Sequence, residues 1–196
     1  MELDTLISKA LSDNGMSEEA YRLLQYEGYP SWLYPVKNGA TTIWERLNSY
    51  TVKDGFGENN SMNSFNHYSF GAVASWMYNY SLGICRDEKS PGFKHFILKP
   101  EVDPTRGITH AEGYYDSMYG RIRSRWQYTD SGIRYEFTVP ANTTASLYLP
   151  APAVSFISEN GKPLKKASGV RYVSADKELH HLELASGSYQ FDIKQK

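Results

Sequence analysis

With a single cysteine, Cys85, in 196 residues, the chain can form no internal disulfide and no multi-cysteine metal site. A lone cysteine of this kind reads as a small apolar residue and not as a nucleophile. Long hydrophobic runs are also missing: none approaches the roughly 20 residues needed to span a bilayer. Neither sign of charge dominates, since 21 Lys and Arg stand against 22 Asp and Glu for a net charge of −1. That balance leaves no electrostatic footprint for nucleic acid or for an anionic membrane surface. His95, His110, His180 and His181 are not spaced as a helical metal motif. No phosphate-cradling glycine loop or nucleophile-elbow serine is present, so neither a metal nor a cofactor is indicated. The opening Met1-Glu2-Leu3-Asp4 has neither the basic region nor the apolar stretch of a signal peptide. The compartment (periplasmic, extracellular or cytoplasmic) is therefore open.

What the chain has in excess is aromatic residues, at 14% with 16 Tyr and 4 Trp. Tyr and Trp present a flat apolar face and a polar edge, which suits sugar rings as well as cores and interfaces. The chain then divides by period. Leu3, Leu6, Ile7, Ala10 and Leu11 recur at helical spacing and stop at Asn14-Gly15. Met16, Ala20, Leu23 and Leu24 form a second stripe, with Ser17 as cap and Gly28 as end. A third short helix is expected to open at Thr42, and a polar, Gly-rich loop runs over 53–61. A fourth helix is expected over 62–82, apolar on two sides through Phe65, Tyr68, Ala72 and Trp76 and through Phe70, Val73, Met77 and Tyr80. A helix apolar nearly all round is buried by neighbours. Its stripe of Asn63, His67, Gly71 and Ala74 suits either a pocket lining or a close helix contact.

Beyond Arg86-Asp87-Glu88-Lys89-Ser90-Pro91 the period becomes two. Ile122, Ser124, Trp126 and Tyr128 alternate with Arg121, Arg123, Arg125 and Gln127, and a turn at 129–132 leads into Ile133, Tyr135, Phe137 and Val139. Leu147 and Leu149, an Asn160-Gly161 turn, Leu182 and Leu184, then Tyr189, Phe191 and Ile193 complete the pattern of an antiparallel sandwich. The expected organisation is an α+β chain in two parts, helices over 1–90 and an antiparallel β-sandwich over 91–196. About four helices with two apolar sides lack partners, so the chain is expected to be a portion of a longer protein.

Glu45 is the carboxylate that stands out, between Trp44 and Arg46 after a Gly- and Pro-punctuated stretch. Thr42-x-x-Glu45 is also a capping box, in which Glu45 would only satisfy a backbone N–H. His67, on an apolar helix, is either a satisfied core histidine or a pocket residue. Asp54 and Glu58 read as solvated loop residues, and His180-His181 as a strand pair facing opposite sides. The triplets at Asn59, Asn79 and Asn142 fit a glycosylation pattern that occurs often by chance.

Three blocks in order carry a resemblance: Gly28-Tyr29-Pro30-Ser31-Trp32-Leu33-Tyr34, Gly39-Ala40-Thr41-Thr42-Ile43-Trp44-Glu45-Arg46, and Met62-Asn63-Ser64-Phe65-Asn66-His67-Tyr68. They resemble the bacterial α-L-rhamnosidases of glycoside hydrolase family 78, and Pro91-Gly92-Phe93-Lys94-His95-Phe96 extends the likeness into the β half. The resemblance implies the last helices of an (α/α)6 barrel followed by a C-terminal β-sandwich. It implies hydrolysis of terminal α-L-rhamnosyl groups with inversion, Glu45 as general base and His67 as a sugar contact. The family's general acid lies in an upstream loop that this chain lacks. The implied partners are an α-L-rhamnoside and the missing N-terminal part of the catalytic domain, and the chain alone is expected to be inactive.

A second class of reading is a non-catalytic carbohydrate-binding or interaction module, with the Trp126 and Tyr128 strand face as its platform. A third makes the sandwich a structural lid. Alternating aromatics in a hairpin are usually inner-face core, which favours the catalytic reading over the platform.

Overall fold

The computed structural model describes residues 3–56 and 63–194; side-chain surroundings are not described for residues 3–6 and Phe70. Gly57, Glu58, Asn59, Asn60 and Ser61 of the expected loop, and the expected helix start at Met62, lie outside the described residues. The chain divides into two compact units, Met1–Trp76 with Asp103–Gly107, and Met77–Val102 with Ile108–Lys196.

In the first unit, helix α1 covers Leu3–Asp13 and α2 covers Ser17–Gln25. The Asn14-Gly15 stop works as the sequence indicates. Gly15 takes the left-handed φ of 75°, its N–H donates to Ser12 O at 3.0 Å, and Met16 N–H donates back to Leu11 O at 2.8 Å. These two bonds satisfy carbonyls that the helix end would leave open. Helix α2 buries Ala20, Tyr21 and Leu24, while Arg22 and Glu18 pair at 2.5 Å on the open face. Ser17 is its first helical residue, with Met16 at the cap position, and the helix ends at Tyr26 in extended conformation instead of at Gly28. Tyr21 meets Trp76 edge to face at 5.1 Å, and the buried Trp76 indole N–H donates to Ser12 Oγ at 2.9 Å. Gln25 reaches Asp103 Oδ2 at 2.8 Å, tying the 103–107 segment to α2.

Two helix expectations fail here. No helix opens at Thr42; the short α3 covers Leu33–Lys37, and 40–50 is irregular chain. The fourth helix is shorter and uneven: a 3₁₀ stretch at Tyr68–Ala72, α4 at Val73–Trp76 and a π turn at Met77–Ser81. Residues 63–67 are not helical, because their backbone groups bond to another segment. The stripe of Asn63, His67, Gly71 and Ala74 is therefore not one helix face, and Tyr68, counted among its apolar residues, is 90% exposed.

The second unit holds strands β1 (Ile84–Arg86), β2 (His95–Leu98), β3 (His110–Ser117), β4 (Gly120–Thr129), β5 (Gly132–Val139), β6 (Thr144–Pro150), β7 (Ile157–Glu159), β8 (Lys162–Pro163), β9 (Val170–Asp176), β10 (Leu179–Leu184) and β11 (Gly187–Lys194). Among the described residues they form two sheets, ordered β1-β2-β6-β10-β9 and β3-β4-β5-β11-β7-β8. The period-two reading places the core: Ile122, Trp126, Tyr135, Phe137, Leu147, Leu149, Leu182 and Phe191 are all buried. Each such side chain is worth about 1.5–3 kcal/mol of burial. Asp130-Ser131 turns β4 into β5 with Thr129 opposite Gly132, and Asn160-Gly161, with φ of 46° and 72°, turns β7 into β8. One pair departs from the antiparallel expectation: β2 runs parallel to β6. The intervening β3, β4 and β5 give the long connection that parallel neighbours require.

The break between helix and sheet is sealed by two side chains of β4 and one backbone amide. Glu101 N–H, Trp126 Nε1–H and the Ser124 hydroxyl donate in turn to the carbonyls of Tyr80 (2.8 Å), Ser81 (2.8 Å) and Leu82 (2.5 Å). Three consecutive carbonyls at the end of the π turn thus find partners.

Candidate functional site

The structure gives Glu45 and His67 a shared setting that neither a capping box nor a helix face would supply. Segment 42–45 lies alongside 64–67 and the two are stitched by backbone groups. His67 N–H donates to Ile43 O at 2.7 Å, Glu45 N–H donates to Ser64 O at 2.7 Å, and the Thr42 hydroxyl donates to Phe65 O. Ser64 N–H then returns to Glu45 Oε2 at 2.8 Å. Thr42 therefore does not cap a helix, and Glu45 does not serve a helix N–H. A bond to an ionised acceptor is about twice as strong as a neutral one. The reciprocal pair fixes both the backbone and one oxygen of the carboxylate.

Aromatic packing holds this pair of segments. Trp44 is buried and meets Phe65 at 5.5 Å and Tyr50 at 6.4 Å, both edge to face. Phe56 closes the cluster against Tyr50 at 5.1 Å and Phe65 at 5.4 Å. Edge-to-face pairs of this kind contribute about 0.5–1.5 kcal/mol beyond area burial. The Ser49 hydroxyl donates to Arg46 O at 2.6 Å and lies 2.6 Å from Asn63 Oδ1, which fixes the start of 63–67. Glu45 and His67 are both half-buried, and the His67 ring leans over Tyr68 at 6.3 Å.

Other candidates resolve differently. Asp54 is exposed and accepts from the Thr51 hydroxyl at 3.2 Å inside a local turn, as a solvated loop residue does. His180 is buried, with Nε2 3.1 Å from Ala151 O, while His181 faces the other side, 3.0 Å from Glu183. Cys85 is half-buried and its thiol lies 3.0 Å from Asn79 O. Trp126 is 0% exposed, so the platform proposed for Trp126 and Tyr128 is corrected: the indole is core. Among the described residues no cluster of three or more His, Cys, Asp or Glu could hold a metal ion. No described helix is long and apolar enough to cross a membrane.

Sequence reasoning missed Ser64 and Ser49 as supports. Ser64 acts through its backbone amide, which any residue but proline carries, so its identity holds no signal. Ser49 and Asn63 could have been suspected only as polar residues flanking two aromatic blocks.

Residues 4–81 match the family model described as the bacterial alpha-L-rhamnosidase 6 hairpin glycosidase domain. Residues 83–163 match that of the bacterial alpha-L-rhamnosidase C-terminal domain. An alpha-L-rhamnosidase of Alteromonas sp. (strain LOR) is 35% identical over 190 residues, 96% of this chain and 19% of its own length. One from Streptomyces avermitilis is 34% identical over 183 residues, 93% of this chain and 16% of its own. The crystal structure of the Streptomyces avermitilis alpha-L-rhamnosidase complexed with L-rhamnose superposes with a TM-score of 0.82 at 33% identity, covering 95% of this chain and 17% of that one. The alpha-L-rhamnosidase from Dictyoglumus thermophilum superposes with a TM-score of 0.79 at 26% identity, covering 97% and 20%. The chain thus spans about a fifth of the length of the curated relatives it matches.

Proposed function

The chain belongs to the bacterial α-L-rhamnosidase family, and from that premise we propose that it supplies the closing helices of an (α/α)6 catalytic barrel and the C-terminal β-sandwich of a larger glycoside hydrolase. The enzyme removes terminal α-L-rhamnosyl groups from glycosides or polysaccharides with inversion at the anomeric carbon. Glu45 is its general base and His67 a sugar contact.

The observation that carries this reading is the reciprocal bond between Glu45 and Ser64. Inversion needs a carboxylate that holds a water in one orientation while a second carboxyl, roughly 6.5–9.5 Å away, protonates the leaving oxygen. A base on a freely rotating side chain loses that orientation. With Oε2 held by the Ser64 amide, Oε1 is the oxygen left to take the proton from water. The half-buried His67 is tied through Ile43 to the same stitch, which suits it to a sugar hydroxyl beside the base.

The second carboxyl, the general acid, comes from upstream chain. The 196 residues alone therefore hydrolyse no rhamnoside. The test compares a chromogenic α-L-rhamnoside on the isolated chain and on a polypeptide carrying the whole helical domain. Turnover only in the longer protein, with the anomer released inverted by NMR, supports the reading. Turnover by the isolated chain that disappears in Glu45→Gln overturns the inactivity, and release of the retained anomer overturns the mechanism.

A further inference from the structure

The Pro91-Gly92-Phe93-Lys94-His95-Phe96 block has no part in the chemistry assigned to Glu45. It leads into a cleft of about 520 Å³ in the sheet unit. Its floor is aromatic. Phe93 and Tyr115 lie 4.6 Å apart with their planes tilted by 36°, and Phe93 continues at 6.3 Å to Phe96, which is fully buried core. Tyr115 pairs across the hairpin with the buried Ile122, so it occupies the core-facing row of β3 and yet is 42% exposed. Met118, at the hairpin tip, is 80% exposed beside it. Arg86, Asp87 and Glu88 also line the cleft.

Two features separate this floor from incidental surface. Gly92 and Phe93 are consecutive residues at positive φ, 78° and 63°. That conformation is uncommon for a bulky side chain, and strain of this kind concentrates at binding sites. The neighbouring tyrosines already have cations on their rings: Arg121 lies 3.8 Å from the Tyr114 centroid and Lys94 5.1 Å from that of Tyr119. Tyr115 instead packs against Phe93 and borders the cleft.

An aromatic floor facing carboxylates and a guanidinium is suited to a pyranose ring. The apolar ring face stacks on the exposed Tyr115, which Phe93 backs, while Arg86 and Glu88, 4.0 Å apart, meet the hydroxyls; the Asp87 carboxylate already accepts from Lys89 N–H at 2.9 Å. Clefts of ligand-binding size run from about 300 to 1,000 Å³, which admits one sugar ring here. The exposed Met118 adds an apolar, adaptable contact that a 6-deoxy sugar's methyl group would fill. We propose that this cleft is a non-catalytic subsite for an α-L-rhamnosyl residue, holding a substrate chain by a unit other than the one cleaved. The choice of sugar rests on the rhamnoside reading above; the cleft itself does not depend on Glu45.

The probe is methyl α-L-rhamnoside, titrated into the 196-residue chain and followed by two-dimensional NMR, with methyl α-L-mannoside as the analogue that adds a 6-hydroxyl. Binding on the order of millimolar is expected for one ring in an open cleft, with shifts centred on Phe93, Tyr115 and Met118. It should weaken roughly tenfold in Tyr115→Ala, survive in Tyr115→Phe, and weaken a few-fold for the mannoside or in Met118→Ala. Met118→Ala sits on an exposed side chain and guards against a folding defect in Tyr115→Ala. Glu45→Gln and His67→Ala should leave the titration unchanged. No shift at about 100 mM sugar, or binding lost in His67→Ala and kept in Tyr115→Ala, overturns the subsite. Either result leaves hydrolysis by the longer protein, and its loss in Glu45→Gln, as a separate measurement.

Discussion

Replacing Trp126 by Phe separates a core indole from a binding platform. The indole is 0% exposed and its N–H donates to Ser81 O at 2.8 Å. Phenylalanine fills most of the space but has no donor, so the Ser81 carbonyl stays buried without its partner, at about 1–3 kcal/mol. The missing ring area and the void add about 1–2 kcal/mol. The sum is about 3 kcal/mol, which at a urea slope of about 1–3 kcal/mol/M moves the unfolding midpoint down by about 1–3 M. The assay is urea unfolding followed by far-UV circular dichroism, with the slope checked for constancy. Ser124→Ala, which removes the bond to Leu82 O, should be destabilising as well and non-additive with Trp126→Phe, because the two donors grip consecutive carbonyls. A change below about 0.5 kcal/mol in Trp126→Phe would refute the reasoning, and loss of oligosaccharide binding alongside it would favour a platform.

Gly83 has φ of 67°, and a Cβ there would stand 2.1 Å from Pro100 N and 2.2 Å from Lys99 C, both backbone. Gly83→Ala should cost upwards of about 4 kcal/mol, whereas Gly161→Ala, at φ of 72° with nothing within 4 Å, should cost only about 1–2 kcal/mol; thermal melts of the two proteins side by side decide it. The Tyr189 phenol, donating to Ala185 O at 2.8 Å, is raised above its ordinary value of 10.0 by burial and then by the nearby Glu159. A raised acid keeps its proton more tightly when folded, so its contribution is whole below pH 10 and is lost as pH rises through the higher folded value. Stability should thus fall above pH 10 in the wild type, and Tyr189→Phe should remove that part of the slope in denaturant titrations at several alkaline pH values.

Much of the sheet was legible because strands with one buried face write their pattern in the sequence. Ile133, Tyr135, Phe137 and Val139 are every second residue of β5, and all are buried. The edge strands β3 and β9 escaped the reading for the converse reason. Their side chains are mostly exposed on both faces, so β9 has little alternation to detect. The error over 62–82 has a different origin. Phe65, Tyr68, Ala72 and Trp76 have helical spacing, yet Phe65 is spent on the Trp44 cluster and the backbone of 64–67 on the stitch to 42–45. Tertiary bonds between backbone groups override local period, and backbone groups have no letter in the sequence. The same limit applied at the site. Glu45 and His67 could be named from residue type and resemblance, but their common setting comes from the amides of Glu45, Ser64 and His67.

The measurement that bears most directly on the central claim is α-L-rhamnoside hydrolysis by a polypeptide carrying the whole helical domain, wild type against Glu45→Gln. Removing the base proposed at Glu45 should lower kcat by roughly 10²–10⁴-fold. The folded spectrum should stay intact, since glutamine can still accept the Ser64 N–H. Wild-type activity that survives Glu45→Gln within about threefold would contradict the account, leaving Glu45 as a structural acceptor and the base elsewhere.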